Sequence, residues 1–128
     1  MTNKKVAVIG GNGFIGTNLI LKLLNVGYEV KSLSRNRNLS VSDPALTQFQ
    51  VDLEAKTSLR AILEDVDIVF HLAASGPPAE SNFDIATEIS RNVLPTIHLL
   101  EECVSYGVPK LIFLSSGGTV YGDQPPGP

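Results

Sequence analysis

One cysteine, one methionine and no tryptophan stand among 128 residues, and aromatics make up only 6% of the chain. Cys103 has no second cysteine to pair with, so an intrachain disulfide is excluded, and the reducing cytosol is a better setting than a disulfide-stapled secreted scaffold. Excess positive charge is lacking too. Ten Lys and Arg against thirteen Asp and Glu leave a formal net charge of −3, and the densest basic run is Arg35-Asn36-Arg37. Nucleic acid and anionic membrane surfaces call for clustered cations, so neither is expected as a partner. Long hydrophobic runs are missing as well. Val6 to Ile9 falls far short of the roughly 20 apolar residues that span a bilayer, and glycines follow it at once. A cytoplasmic, globular, single-domain chain is expected, with enough length to bury an apolar core unaided.

What the sequence does hold is an alternation of strand and helix patterns. Lys4 to Ile9 reads as a buried strand that stops at Gly10-Gly11-Asn12-Gly13. Ile15, Leu19, Ile20, Leu23 and Leu24 then recur at helical spacing until Asn25-Val26-Gly27. Tyr28 to Leu33 reads as a second strand, 34–47 as a loop, Phe49 to Val51 as a third strand and Thr57 to Leu63 as a short helix. Val66 to Leu72 reads as a fourth strand closed by a proline-rich loop, and Leu111 to Leu114 as a fifth. Between them, residues 83–104 carry Ile85, Ile89, Val93, Ile97, Leu100 and Val104 at helical spacing, which predicts a long buried helix. Pro95 inside it predicts a kink, because proline removes a backbone donor and crowds the preceding turn. Continuous apolar strands separated by helices imply a parallel sheet covered on both faces. The simplest such architecture is the doubly wound α/β Rossmann fold, here about five strands.

The chemistry concentrates where these strands end. Gly10-Gly11-Asn12-Gly13-Phe14-Ile15-Gly16 lies between the first strand and first helix and satisfies G-x-G-x-x-G from Gly11. In that context the glycines allow a tight turn, backbone approach to a pyrophosphate and close helix packing, and the helix N-terminus attracts the phosphates. A nicotinamide dinucleotide is the expected cofactor. The acidic residue that would hold the ribose of NAD is missing where the second strand ends, at Ser32-Leu33-Ser34-Arg35. Ser34, Arg35 and Arg37 thus lean toward the 2′-phosphate of NADP, unless both arginines are solvated loop residues. Asp52 and Leu53 after the third strand suit an adenine, with a cap of the following helix as the lesser alternative for Asp52. Ala73, Ala74 and Ser75 after the fourth strand are small enough for a cofactor to lie across them. His71 and His98 stand isolated from other ligating residues and read as structural. Among Tyr28, Tyr106 and Tyr121 no evident proton donor stands out.

Taken in order, Gly10–Gly16, Asp52-Leu53, His71-Leu72-Ala73-Ala74, Asn92-Val93 with Leu99-Leu100-Glu101, and Ser115 to Gly122 resemble the successive motifs of the extended short-chain dehydrogenase/reductases. The resemblance covers almost the whole chain and is narrowest to the NAD-dependent epimerase/dehydratase group acting on nucleotide sugars. It implies that Gly10, Gly13, Phe14, Ile15 and Gly16 form the pyrophosphate turn, that Asp52 and Leu53 meet the adenine, and that Leu72, Ala73 and Ala74 line the cofactor channel. It also implies that Asn92 supports the active site from its helix and that Ser115 lies beside the nicotinamide. Three departures stand out. Gly117 occupies the usual place of the catalytic Ser or Thr, leaving Ser116 and Thr119 as the candidate hydroxyls. Pro95 stands where the family more often has glycine. No Tyr-x-x-x-Lys pair follows the last motif, which points to an N-terminal cofactor-binding portion, inactive alone and lacking a substrate domain. Sugar C4 epimerisation is the favoured chemistry. A related NADPH-dependent reductase and a non-catalytic redox-sensing module are the alternatives, and uncovered apolar edges predict self-association.

Overall fold

The computed structural model describes residues 4–36, 39–75, 84–116 and 120–122. Strands β1 (Lys5–Ile9), β2 (Glu29–Ser34), β3 (Leu46–Gln50), β4 (Ile68–His71) and β5 (Leu111–Phe113) form one sheet in the order β3-β2-β1-β4-β5, every neighbouring pair parallel. Helices α1 (Phe14–Asn25), α2 (Arg60–Leu63), α3 (Ile85–Glu88) and α4 (Leu94–Ser105) connect them. The expected Rossmann-like architecture is present. Alternate residues of β1 serve opposite faces. Val6 and Val8 meet Ile20 and Leu23 of α1 together with Val30. Ala7 and Ile9 meet Leu59, which precedes α2, Ile62 and Leu63 of α2, and Leu99 and Cys103 of α4. Both faces of β1 are covered, so every side chain from Val6 to Ile9 is fully buried, which explains its unbroken apolar run. The strand order reverses between β1 and β4, and in open parallel sheets that switch point opens a crevice at the carboxyl edge.

Several element boundaries differ from the sequence reading. β3 begins at Leu46, before the expected Phe49, because its polar residues Thr47 and Gln48 pair with Lys31 and Ser32 at the sheet margin, where alternation is weak. β4 and α2 are each shorter than their apolar patterns suggested. Asp52 caps a short 3-10 turn at Leu53–Ala55, its Oδ1 accepting the Glu54 N–H at 3.0 Å.

The largest correction concerns residues 83–104. Helices α3 and α4 are joined by a π turn, Ile89–Val93, in which the Leu94 N–H bonds the Ile89 carbonyl five residues back. Pro95 follows at once, near the start of α4. Its ring cannot donate to Arg91 and crowds that carbonyl, and the wider turn accommodates both defects. The distortion is thus where Pro95 predicted it. The buried face is not. Ile85, Ile89, Val93, Ile97, Leu100 and Val104 are 43% to 82% exposed, whereas Pro95, Leu99 and Cys103 face the sheet. Periodicity detected an apolar stripe, but the helix has two, and the sheet uses the other one. Among the described residues no helix is long and apolar enough to cross a membrane.

Candidate functional site

A cleft of about 480 Å³ lies over the carboxyl edge of the sheet, at the switch point between β1 and β4. Its floor begins at the glycine turn. Gly10 has φ +89°, a left-handed conformation that side chains disfavour, and a Cβ there would sit 2.8 Å from the Ala73 backbone nitrogen. Gly16 is closed for a different reason, since its Cβ would lie 2.3 Å from the Gly10 carbonyl oxygen. Gly13 is the exception. With φ −71° it is unstrained, and its Cβ would meet nothing nearer than the Gly10 oxygen at 3.4 Å, yet it is exposed and lines the cleft. It is the N-cap residue of α1, and neither a capping side chain nor an acidic residue occupies the first turn. The leading amides of a 12-residue helix, with the positive end of its dipole, thus stand without a side-chain acceptor beside the cleft.

At one end of the cleft, Ser34 ends β2 and Arg35 is exposed beside it. The Ser34 hydroxyl donates to the Asn36 carbonyl at 2.6 Å, and the Asn12 amide donates to that same oxygen. The glycine turn and the loop after β2 are therefore tied together. Asp52 and Leu53, after β3, line the cleft here too, so the Asp52 carboxylate both caps its turn and borders the cleft.

The other end is walled by the segment after β4, Leu72 to Ser75, and by the π turn opposite. Asn92 joins the two. Its Oδ1 accepts the Ser75 N–H at 2.7 Å, and its Nδ2 donates to the Ser75 carbonyl at 3.1 Å and to Glu88 Oε1 at 2.7 Å. With both ends engaged, the carboxamide acts as a clamp on the loop. His71, buried at the end of β4, bonds Thr96 Oγ1 through Nε2 at 2.9 Å and stacks in tilted fashion on Phe113. Burial pushes its pKa below the ordinary histidine value, so the ring is neutral at pH 7.

Eleven of the sequence-derived candidates border this cleft: Gly10, Gly13, Ser34, Arg35, Asp52, Leu53, Leu72, Ala73, Ala74, Ser75 and Asn92. Five others do not. Phe14 and Ile15 point into solvent from the first turn of α1, and Gly16 is buried beneath the glycine turn. Ser115 and Ser116 are exposed in the segment after β5, outside the cleft lining. Thr119 and Arg37 lie outside the described residues. Asn12, Asn36, Glu54, Arg91 and Thr96 border the cleft without having been singled out as ligand-binding. Thr96 had a readable signal, four residues after Asn92 and so one turn along the same helix face. Lys110 does follow Tyr106 by four residues, but Gly107-Val108-Pro109 intervenes, and the pair lies where α4 ends and β5 begins, at the amino edge of the sheet away from the cleft. His98 is structural, bonding the Thr57 carbonyl at 3.2 Å. Among the described residues no cluster of three or more His, Cys, Asp or Glu could hold a metal.

Parallel order, switch-point cleft and glycine turn together define a Rossmann-like α/β domain of the NAD-binding kind. The chain belongs to the NAD dependent epimerase/dehydratase family, whose model matches residues 6–128. It is 33% identical over 118 residues to human sterol-4-alpha-carboxylate 3-dehydrogenase, decarboxylating, covering 92% of this chain and 30% of that protein. It is likewise 33% identical over 131 residues to UDP-glucose 4-epimerase of Neisseria meningitidis serogroup C, covering 94% of this chain and 38% of the other. Among solved structures, UDP-glucose 4-epimerase of Thermus thermophilus in complex with NAD superimposes with a TM-score of 0.82 at 34% identity, over 97% of this chain and 41% of its own. The chain thus spans well under half the length of these relatives.

Proposed function

We propose that this chain is the dinucleotide-binding portion, residues 1–128, of an enzyme that moves a hydride at a ring carbon bearing a hydroxyl, with sugar C4 epimerisation of a nucleotide sugar as the favoured reaction. The observation that carries the proposal is Gly13, a residue kept small with no packing reason, at the uncapped start of α1 and open to the cleft. The uncapped amides would hold a pyrophosphate, Asp52 and Leu53 would border the adenine, and Ala73 and Ala74 would let the cofactor lie across the sheet edge. A bound nicotinamide supplies a reversible hydride acceptor. The residues of this chain bind it, orient it and wall it from β4 to the π turn.

Similarity to UDP-glucose 4-epimerases supports the nucleotide-sugar reading, and the NAD complex of one neighbour supports the cofactor class. Equal similarity to a sterol dehydrogenase supports a second substrate class, a ring-bound alcohol on a steroid, served by the same hydride chemistry. Among the described residues no tyrosine and lysine meet at the cleft, so proton transfer, which typically contributes about 10²–10⁴-fold, has no such agent there. Purified chain incubated with NAD or NADP and either UDP-sugars or 3β-hydroxysteroids is therefore expected to bind cofactor but to leave epimer ratios by NMR and A340 unchanged. Conversion of any substrate would overturn the assignment as a binding portion. The exposed stripe from Ile85 to Val104 is the surface through which the chain would self-associate.

Arg35 tilts the cofactor choice toward NADP, as the exposed cation that directly follows β2 and borders the cleft. Arg35→Ala is expected to weaken NADP by about 1.5 kcal/mol, the low end for a charge-assisted hydrogen bond because the side chain is exposed, or roughly tenfold, with NAD nearly unchanged. Equal losses for both cofactors in calorimetry would show that Arg35 does not read the 2′-phosphate.

A further inference from the structure

We propose that Thr96 and His71 are positioning residues for the dinucleotide cleft, relaying the end of β4 onto the π turn so that Asn92 holds the Ser75 backbone in place. The inference rests on the cofactor reading above but is testable without any ligand. The Thr96 hydroxyl donates to the Asn92 carbonyl at 2.7 Å and lies 2.9 Å from His71 Nε2. A hydroxyl has one proton. Spent on Asn92, it leaves the oxygen as an acceptor toward His71, which must then carry its proton on Nε2. His71 Nδ1 is left as a bare lone pair, buried and without a hydrogen-bond partner among the described residues.

A threonine bonding its i−4 carbonyl is common in helices and by itself implies nothing. Here that oxygen also takes a buried imidazole from another element. Two rungs join the β4 end to the helix, His71 to Thr96 and Ser75 to Asn92, each four residues from the next on its own segment. Between them the Thr96 hydroxyl holds the Asn92 carbonyl, next to the turn where Pro95 removes a backbone donor. A local weakness in the helix is thereby pinned beside the wall of the cleft. Loss of the Thr96 hydroxyl leaves a buried Nε2–H without its acceptor and frees the Asn92 carbonyl to shift.

Thr96→Val keeps the shape and deletes the hydroxyl, while Thr96→Ser keeps the hydroxyl. With the cofactor-free chain, the Ser75 amide is expected to exchange with solvent at least tenfold faster in Thr96→Val and close to the wild-type rate in Thr96→Ser. Long-range ¹H–¹⁵N spectra are expected to show His71 as the Nε2–H tautomer in wild type, with His98 the only other histidine to separate from it. An Nδ1–H tautomer in wild type, or wild-type Ser75 exchange in Thr96→Val, overturns the relay. Should Thr96→Val fail to fold, the wild-type tautomer and the Thr96→Ser exchange rate decide it alone. With NAD added, Thr96→Val is expected to bind about tenfold more weakly, and Thr96→Ser like wild type. Wild type that binds neither NAD nor NADP contradicts the cofactor reading, whereas equal NAD affinity in wild type and Thr96→Val contradicts the relay.

Discussion

Gly13→Val is expected to abolish measurable dinucleotide binding while leaving the fold intact. The glycine sits at the start of α1 with an ordinary φ of −71°, and the nearest atom to an added Cβ is 3.4 Å away, so the protein itself tolerates a side chain there. What a valine would fill is the space over the helix amides, where a pyrophosphate needs backbone contact. A loss of at least about 100-fold, near 2.7 kcal/mol, is expected in calorimetry, with circular dichroism and melting temperature close to wild type. Unchanged affinity in a folded variant would remove the glycine turn from the site.

Gly16→Ala is expected to do the reverse and damage folding first. Its Cβ would lie 2.3 Å from the Gly10 oxygen and 2.8 Å from the Gly11 Cα, contacts that no rotamer relieves because both partners are backbone. Overpacking of buried sites typically costs about 1–3 kcal/mol, and a clash of backbone on backbone places this variant at or above the top of that range. In a chain whose total stability is on the order of 5–15 kcal/mol, a fall of roughly 10 °C or more in melting temperature is expected. A variant melting like wild type would mean that the turn can open to admit a methyl group. Together the two substitutions separate glycine kept for a ligand from glycine kept for packing, a distinction the motif does not contain.

Much of the architecture was legible because its signals are local. An apolar strand, a glycine turn and an amphipathic helix each follow from neighbouring residues, so β1, the turn and α1 were placed almost residue by residue. The third strand was misplaced at its start because Thr47 and Gln48, half-exposed at the sheet margin, carry no apolar pattern. The long helix was recognised with its distortion, yet its orientation was reversed. Two apolar stripes share one helix, and nothing in the spacing says which meets the sheet. The motifs and the residues that follow each strand also identified eleven residues that border the cleft, since loops at strand ends must converge when the strands are parallel.

By itself, then, the sequence determined the parallel doubly wound sheet, the place of the glycine turn at its switch point, and the break at Pro95, each a consequence of short-range pattern or covalent constraint. Only the tertiary structure decided which face of the helix is buried, that Gly13 is open where Gly16 is closed, and that Asn92 spends its carboxamide on the Ser75 backbone. It alone joined His71 to Thr96, 25 residues away, and set Tyr106 and Lys110 at the wrong edge of the sheet for the cleft. These are contacts between segments distant in sequence, and their geometry follows from how layers stack and how far a single hydroxyl or carboxamide can reach.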